Sequence, residues 1–485
     1  MNRALTRVYW VLAGLFLLVL GMTAYWQIWD ASSLAARRDN QRQVVRELSI
    51  KRGLILASDG AIIARNYRAP SENGGSIYER RYPSNLYAAP IGYSSPSDGR
   101  AGLERSANDF LTGANSDLAG SLRRQFSSLA GGVIAGNTVE TSLSPAVQRA
   151  AREGLQKTGL RGAVVAIEPR TGRVLALDSW PTYNPNAIVA GKLPRVGDAL
   201  FNRATQGRYP PGSAFKPLTT VFALESGRYT PDSVFINHNR FDYYGQTITN
   251  ASAAYQGPRT LTQSLTYSLN TTFAEIGAKL CARSVCPDFT RVMQAFGLFS
   301  TPPLDFPGDQ LRASGILRHG TSALATPSTS FDPARTAFGQ GDLVVTPLQM
   351  ALLAAGIGND GIVMQPTLID RVRTQGGKTI SVTKPKVWKR ATTPEIARQV
   401  RQMMIGVVTA GSGQLAQIPG VAIAGKTGTA QTGRPGLYDS WFIAVAPAGD
   451  PQIAVAVVIE GTPQFGGQTA APIAKSVMQA VVGGG

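Results

Sequence analysis

The chain has 485 residues, 43% of them hydrophobic and 16% charged, with a formal net charge of +18. That length and balance describe a globular protein of more than one domain and exclude a disordered chain. The basic excess is not gathered into Lys/Arg blocks and comes with no zinc spacing or stacking-aromatic motif, so it points away from nucleic acid and toward an anionic membrane or wall polymer.

Residues 8–29 contain no charge, about the length of a bilayer-spanning helix. Tyr9 and Trp10 at one end, with Tyr25, Trp26 and Trp29 at the other, fit interfacial aromatic belts. Arg3 and Arg7 favour a cytoplasmic N-terminus, although Arg37, Arg38 and Arg42 on the far flank weaken that signal. Large domains translocate largely regardless of charge, so everything after Trp29 is expected outside the cytoplasm. The rival, a cleaved signal peptide, is disfavoured because the apolar core is long and no small-x-small site follows it. Residues 1–30 are therefore read as a single-pass membrane anchor.

Residues 31–136 mix short apolar runs with Gly/Ser/Pro/Asn-rich turns. Lys51-Arg52-Gly53-Leu54-Ile55-Leu56 and Ala61-Ile62-Ile63 read as strands joined at Asp59-Gly60, and Gly102-Leu103-Glu104 opens a helical pattern ending at Gly113. No catalytic constellation is visible here, so a spacer or partner-docking domain is expected. Ser144-Pro145 reads as an N-cap followed by proline at the first helical position. The apolar runs 162–167 and 173–177, around Pro169 and Gly172, read as an antiparallel hairpin. The second domain is taken to run over 137–485.

Tyr209-Pro210-Pro211-Gly212-Ser213-Ala214-Phe215-Lys216 comes next. Prolines and glycine hold the approach extended, and the chain can continue as a helix from Ala214, with Ser213 and Lys216 three apart on one face. A serine hydroxyl needs a neighbouring base to become a nucleophile, and a desolvated lysine can serve. Residues 261–280 and 347–356 read as helices, and Ser268-Leu269-Asn270 lies within the first. Cys281 and Cys286, so close in sequence and outside the cytoplasm, are expected to form a small disulfide. They are poor metal ligands, since His238 and His319 are distant in sequence. That scarcity of histidine also argues against a Ser-His-Asp enzyme, although the fold could still bring distant residues together. Residues 300–334, dense in Pro, Gly, Ser and Thr, read as long loops. The runs 421–430, 440–446 and 452–460 then form a three-stranded meander, with Lys426-Thr427-Gly428-Thr429 on its first strand, and an apolar helix follows. Hairpin, middle helices, meander and helix predict an α+β domain, one antiparallel sheet with helices on its faces.

Ser-x-x-Lys, Ser-x-Asn and Lys-Thr-Gly, in that order, are the signature of penicillin-binding proteins and serine β-lactamases. The chain resembles a class B penicillin-binding protein over nearly its whole length. Arg52-Gly53-x-Ile55 with Asp59-Gly60, and Gly102-Leu103-Glu104, resemble motifs of that family's pedestal domain. Asn202-Arg203-Ala204, Gly339-Gln340-Gly341 and Trp441-Phe442 resemble stretches of its transpeptidase domain. Ser142-Leu143-Ser144 lacks the aspartate usual there, and Asp439-Ser440 stands where many members carry other residues.

The resemblance implies a peptidoglycan D,D-transpeptidase working through a serine acyl-enzyme, trapped by β-lactams and needing no cofactor or metal. It makes Ser213 the nucleophile, Lys216 its proton acceptor, Ser268 a proton relay, and Asn270 a holder of the peptide or the lysine. Lys426 adds positive charge, Thr427, Gly428 and Thr429 bind the substrate carboxylate, and the Ser213 and Thr429 N–H groups form the oxyanion hole. Its implied partners are stem peptides, lipid II-derived glycan strands and a SEDS-family glycan polymerase. The alternatives are a D,D-carboxypeptidase or β-lactamase-like hydrolase, against which the anchor and pedestal argue because a secreted β-lactamase would need neither, and a largely non-catalytic activator of a membrane polymerase.

Overall fold

The apolar run Gly162–Ile167 is buried at every position, which requires strand neighbours on both edges and packed layers on both faces. In the computed structural model, which describes residues 2–25, 48, 50–70, 76–114, 135–192, 194, 198–281 and 286–483, it lies inside a five-stranded antiparallel sheet. The order is Ala424–Gln431, Tyr438–Ala446, Ile453–Thr462, Gly162–Ile167 and Val174–Trp180. The late meander thus joins the early hairpin, with Val457 opposite Val164. Because successive side chains point to opposite faces, Val164, Phe442, Val455 and Val457 pack with helices Pro145–Thr158 and Gly466–Val482. Val165, Ile443 and Val458 meet the core on the other side, which includes Pro347–Gly358. That helix is apolar except for Gln349, whose amide donates to the Phe296 carbonyl, and it is buried at every position. Side-chain caps start several helices: Ser144 accepts from the Val147 N–H, Thr346 from Gln349 and Thr393 from Ile396. The fold is the α+β arrangement expected.

A second sheet orders Thr379–Val382, Ile369–Arg373, Thr138–Thr141, Ile55–Leu56, Ile62–Pro70 and Ser76–Arg81. Its strands come from both sides of residue 137. The pedestal motifs meet in one buried cluster, in which Glu104 accepts from Arg52 at 2.9 Å, from Arg80, and from the Tyr82 hydroxyl at 3.1 Å. Arg80 also reaches the Gly53 carbonyl at 2.7 Å. The predicted helix after Gly102 is two short ones, Gly102–Ser106 and Asn108–Thr112, closed by Gly113 at φ 75°. The long loop after residue 300 returns to this region, where Gln310 accepts from the Gly102 N–H and Asp309 pairs with Arg105.

At the N-terminus, Asn2–Ala24 is helical. Its Thr6–Thr23 stretch has a mean hydropathy of 1.6 with none of it buried, long and apolar enough to cross a bilayer. Trp26, Trp29, Arg37, Arg38 and Arg42, used above for belts and orientation, lie outside the described residues.

Candidate active site

The chain enters the site through Tyr209-Pro210-Pro211, and each end of that segment is tied down. Tyr209 exchanges backbone hydrogen bonds with Val345, and its hydroxyl donates to Glu460 at 2.6 Å. The Trp441 indole N–H donates to the Pro210 carbonyl at 3.0 Å. Gly212, at φ 52°, turns the backbone into a 3₁₀ turn, Gly212–Phe215, and the α-helix Lys216–Glu225 follows. The expected single helix is therefore split, with Ser213 on the tight turn and Lys216 at the first position of the α-helix. Lys216 follows that turn directly, so the two residues still lie three apart along one continuous helical segment. Ser213 is half-buried and Lys216 fully buried.

The expected helix over 261–280 is also broken, into Leu261–Thr266 and Asn270–Leu280. Ser268 sits in the break at φ 60°, a left-handed conformation that a serine adopts at a cost of order 1–3 kcal/mol. The break sends the Ser268 carbonyl and hydroxyl and the Asn270 amide toward Lys216. Its Nζ lies 2.7 Å from the Ser268 carbonyl, 2.8 Å from Asn270 Oδ1 and 3.2 Å from Ser268 Oγ. The other end of the Asn270 amide donates to the Thr249 carbonyl at 3.0 Å, which fixes which way it faces. Ser268 Oγ also lies 2.9 Å from Lys426 Nζ, so one hydroxyl bridges two lysines.

Neither lysine has a carboxylate partner among its hydrogen bonds. Burial, together with the Lys426 charge, holds the Lys216 amine well below its ordinary range. Burial alone pulls Lys426 down to about 7. A neutral amine has two N–H bonds and one lone pair. At Lys216 the Ser268 carbonyl and Asn270 Oδ1 take both donors, leaving the lone pair for a hydroxyl. An amine so placed can act as a base toward a neighbouring hydroxyl.

Lys426-Thr427-Gly428-Thr429 lies on the sheet's edge strand, Ala424–Gln431, against the 3₁₀ turn. Gly428 is what lets them touch. A Cβ there would meet the Pro211 carbonyl oxygen at 2.6 Å and the Ala214 and Trp441 Cβ atoms at 2.9 Å. Gly428 thus has a packing reason to be glycine, beside the substrate-binding role that the motif implies. Lys426 Nζ also donates to the Thr427 carbonyl at 3.0 Å. The Thr429 hydroxyl accepts from the Gly466 N–H at 3.4 Å. The exposed Ser412 hydroxyl, in a turn after the helix Pro394–Thr409, hydrogen-bonds the Thr427 hydroxyl. Ser412 and Thr249 were not legible in the motifs, and Trp441, seen there in the Trp441-Phe442 stretch, had been given no role. Gly411-Ser412-Gly413 reads as a turn, and nothing in its spacing marks a meeting with Thr427.

A disulfide joins Cys281 and Cys286, linking the end of the Asn270 helix to the start of Pro287–Ala295. His319 is exposed and paired with Asp342 at 3.7 Å. Among the described residues no group of three or more His, Cys, Asp or Glu could hold a metal ion.

This architecture, with a serine on a tight turn, a desolvated lysine, a bridging serine and a lysine-bearing edge strand, defines a serine acyltransferase of the penicillin-recognising kind. The model of the penicillin-binding protein transpeptidase domain matches residues 162–479, and that of the penicillin-binding protein A dimerisation domain matches 52–139. The chain belongs to the penicillin-binding protein transpeptidase family. It is 35% identical to the peptidoglycan D,D-transpeptidase PbpA of Mycolicibacterium smegmatis over 99% of each chain, and 34% identical to PbpA of Mycobacterium tuberculosis over the whole of both. Among solved structures, the ceftriaxone acyl-enzyme of penicillin-binding protein A from M. tuberculosis superposes with a TM-score of 0.80 at 32% identity, covering 90% of this chain and 100% of that one. The transpeptidase domain of an Eggerthella lenta peptidoglycan glycosyltransferase superposes at 0.75 with 31% identity, covering 90% and 99%.

Proposed function

We propose that the chain is a membrane-anchored peptidoglycan D,D-transpeptidase whose acylated residue is Ser213. Lys216, neutral at working pH, takes the Ser213 proton as Oγ attacks the carbonyl of the penultimate D-alanine in a donor stem peptide. The Ser213 and Thr429 N–H groups stabilise the oxyanion, an interaction worth about 3–4 kcal/mol of barrier in a comparable site. Ser268, between the two lysines, passes a proton to the departing D-alanine amine. Asn270 keeps the Lys216 lone pair directed at the hydroxyls. Lys426, as the cation, with Thr427, Thr429 and the Ser412 hydroxyl, receives the terminal carboxylate. An amine of a neighbouring stem peptide then attacks the acyl-enzyme, frees Ser213 and leaves the cross-link. β-Lactams acylate Ser213 in place of the donor. The observation that carries this reading is Lys216, fully buried and held by two acceptors within 2.8 Å.

We assign residues 1–30 to the anchor, 31–136 to the pedestal and 137–485 to the transpeptidase domain, which works outside the cytoplasm on glycan strands made by a SEDS-family polymerase. The test is donor exchange. The full chain in detergent is given a peptide ending in D-Ala-D-Ala and a labelled D-amino acid. Wild type should release D-alanine and incorporate the label, and Ser213→Ala should do neither. Hydrolysis without incorporation would favour the carboxypeptidase reading.

A further inference from the structure

Glu460 lies outside the three catalytic motifs, on the strand Ile453–Thr462, where the sheet's register slips. Tyr438 pairs with Thr462 but Ser440 pairs with Ile459, so Asp439 faces both Glu460 and Gly461. This is a β-bulge, a feature that re-aims side chains beside active sites. Asp439 braces it by accepting from the Gly461 N–H at 3.1 Å, with Gly461 at φ 59°. From the bulge Glu460 reaches the segment that leads into the nucleophile turn. One oxygen, Oε1, accepts from Arg203 Nε at 2.8 Å and from the Tyr209 hydroxyl at 2.6 Å. Arg203 is 2% exposed and its other end is held by Asp198, so Glu460 rests on a fixed support. Burial and the Glu460 charge push the Tyr209 hydroxyl well above its ordinary range, so it remains a donor at working pH. The Tyr209 ring in turn meets Trp441 edge-on, with centroids 6.1 Å apart, and the Trp441 indole holds the Pro210 carbonyl just ahead of Ser213. Gly207 makes room for the phenol, since a Cβ there would stand 2.3 Å from its oxygen.

We propose that Glu460 is a positioning residue for acylation, fixing through the Tyr209 hydroxyl where the Ser213 Oγ and N–H stand. The inference rests on Ser213 being the acylated residue. The side-chain hydrogen bonds of Glu460 go to Arg203 and Tyr209, and to none of the groups that bind the substrate carboxylate. Its loss therefore slows the covalent step and leaves initial binding by Lys426, Thr427 and Thr429 in place. A buried phenol deprived of its acceptor carries a desolvation cost that it relieves by moving. The turn that follows it moves too, and a displacement of about 1 Å at reacting groups costs on the order of 100-fold in rate.

The experiment follows acylation of the full chain in detergent by a fluorescent penicillin over a range of concentrations, with melting measured in parallel. This separates the limiting rate from the half-saturating concentration. Tyr209→Phe removes only the hydroxyl and leaves Glu460 paired with Arg203. It should lower the limiting rate at least about tenfold, with the half-saturating concentration within about twofold of wild type. Glu460→Ala should do the same. Both hydrogen bonds fall on one oxygen, so Glu460→Gln keeps the acceptor and should return the limiting rate to within about threefold of wild type. A limiting rate within about twofold of wild type in folded Tyr209→Phe overturns the proposal. So does a loss carried wholly by the half-saturating concentration, or a Glu460→Gln as slow as Glu460→Ala. If Glu460→Ala does not fold, Tyr209→Phe decides alone. A folded wild type that is never acylated overturns the proposed function and this inference with it, whereas a wild type and variants acylated equally fast overturn this inference only.

Discussion

Gly428→Ala tests whether the edge strand and the nucleophile turn must touch for the enzyme to work. The added Cβ would stand 2.6 Å from the Pro211 carbonyl oxygen and 2.9 Å from two Cβ atoms, against an ordinary contact of at least 3.4 Å. All three obstacles belong to backbone or Cβ positions, so no side chain can swing aside. The strand must retreat by roughly 0.5–0.8 Å, enough to disrupt a constellation that works only when held within about 0.5 Å. A misplacement of about 1 Å costs on the order of 100-fold, which is about 2.7 kcal/mol of barrier. Overpacking should cost a further ~1–3 kcal/mol of stability. The assay is the second-order rate constant for acylation by a fluorescent penicillin, with melting measured in parallel. Acylation within about threefold of wild type would refute the reasoning, because the two oxyanion donors would then tolerate separation.

Asn270→Ala removes the acceptor 2.8 Å from Lys216; acylation should fall on the order of 100-fold with little change in melting, and an unchanged rate constant would deny Asn270 its directing role. The pH profile of acylation should show two limbs. Lys216, with its pKa well below the ordinary lysine range, stays neutral until pH falls toward that lowered value, and the rate declines there. The Lys426 cation is lost as pH rises through about 7, so the rate should decline on that side too; a rate unchanged as pH rises from about 6 to 9 would contradict the Lys426 assignment. Glu104→Gln leaves Arg52 and Arg80 buried without their shared carboxylate and should cost about 3–5 kcal/mol in denaturant unfolding, and a loss below about 1 kcal/mol would contradict the ion cluster's place in the pedestal.

Local pattern made much of this molecule readable. The hairpin, the late meander and the capped helices each follow from a few neighbouring residues, and the three motifs mark Ser213, Ser268, Asn270 and Lys426 because each is short and ordered. What escaped depends on contacts between distant segments. The second sheet pairs Val139 with both Ile55 and Val372, and no periodicity announces such partners. Ser268 lies in a run that favours helix, and the left-handed kink that opens it is enforced by tertiary surroundings. The packing reason for Gly428 left no local trace, because the Pro211 carbonyl it must clear belongs to a turn more than two hundred residues earlier. Ser412 carries no signature, since a serine between two glycines reads as a turn until the fold sets it against Thr427.

The central claim is that Ser213 becomes acylated. Full-length protein treated with a fluorescent penicillin, digested and mapped by mass spectrometry, should carry one penicilloyl group on the peptide containing Ser213. Ser213→Ala, folded by melting and circular dichroism, should carry none. A folded wild type that remains unlabelled, or a label retained in Ser213→Ala, would contradict the account.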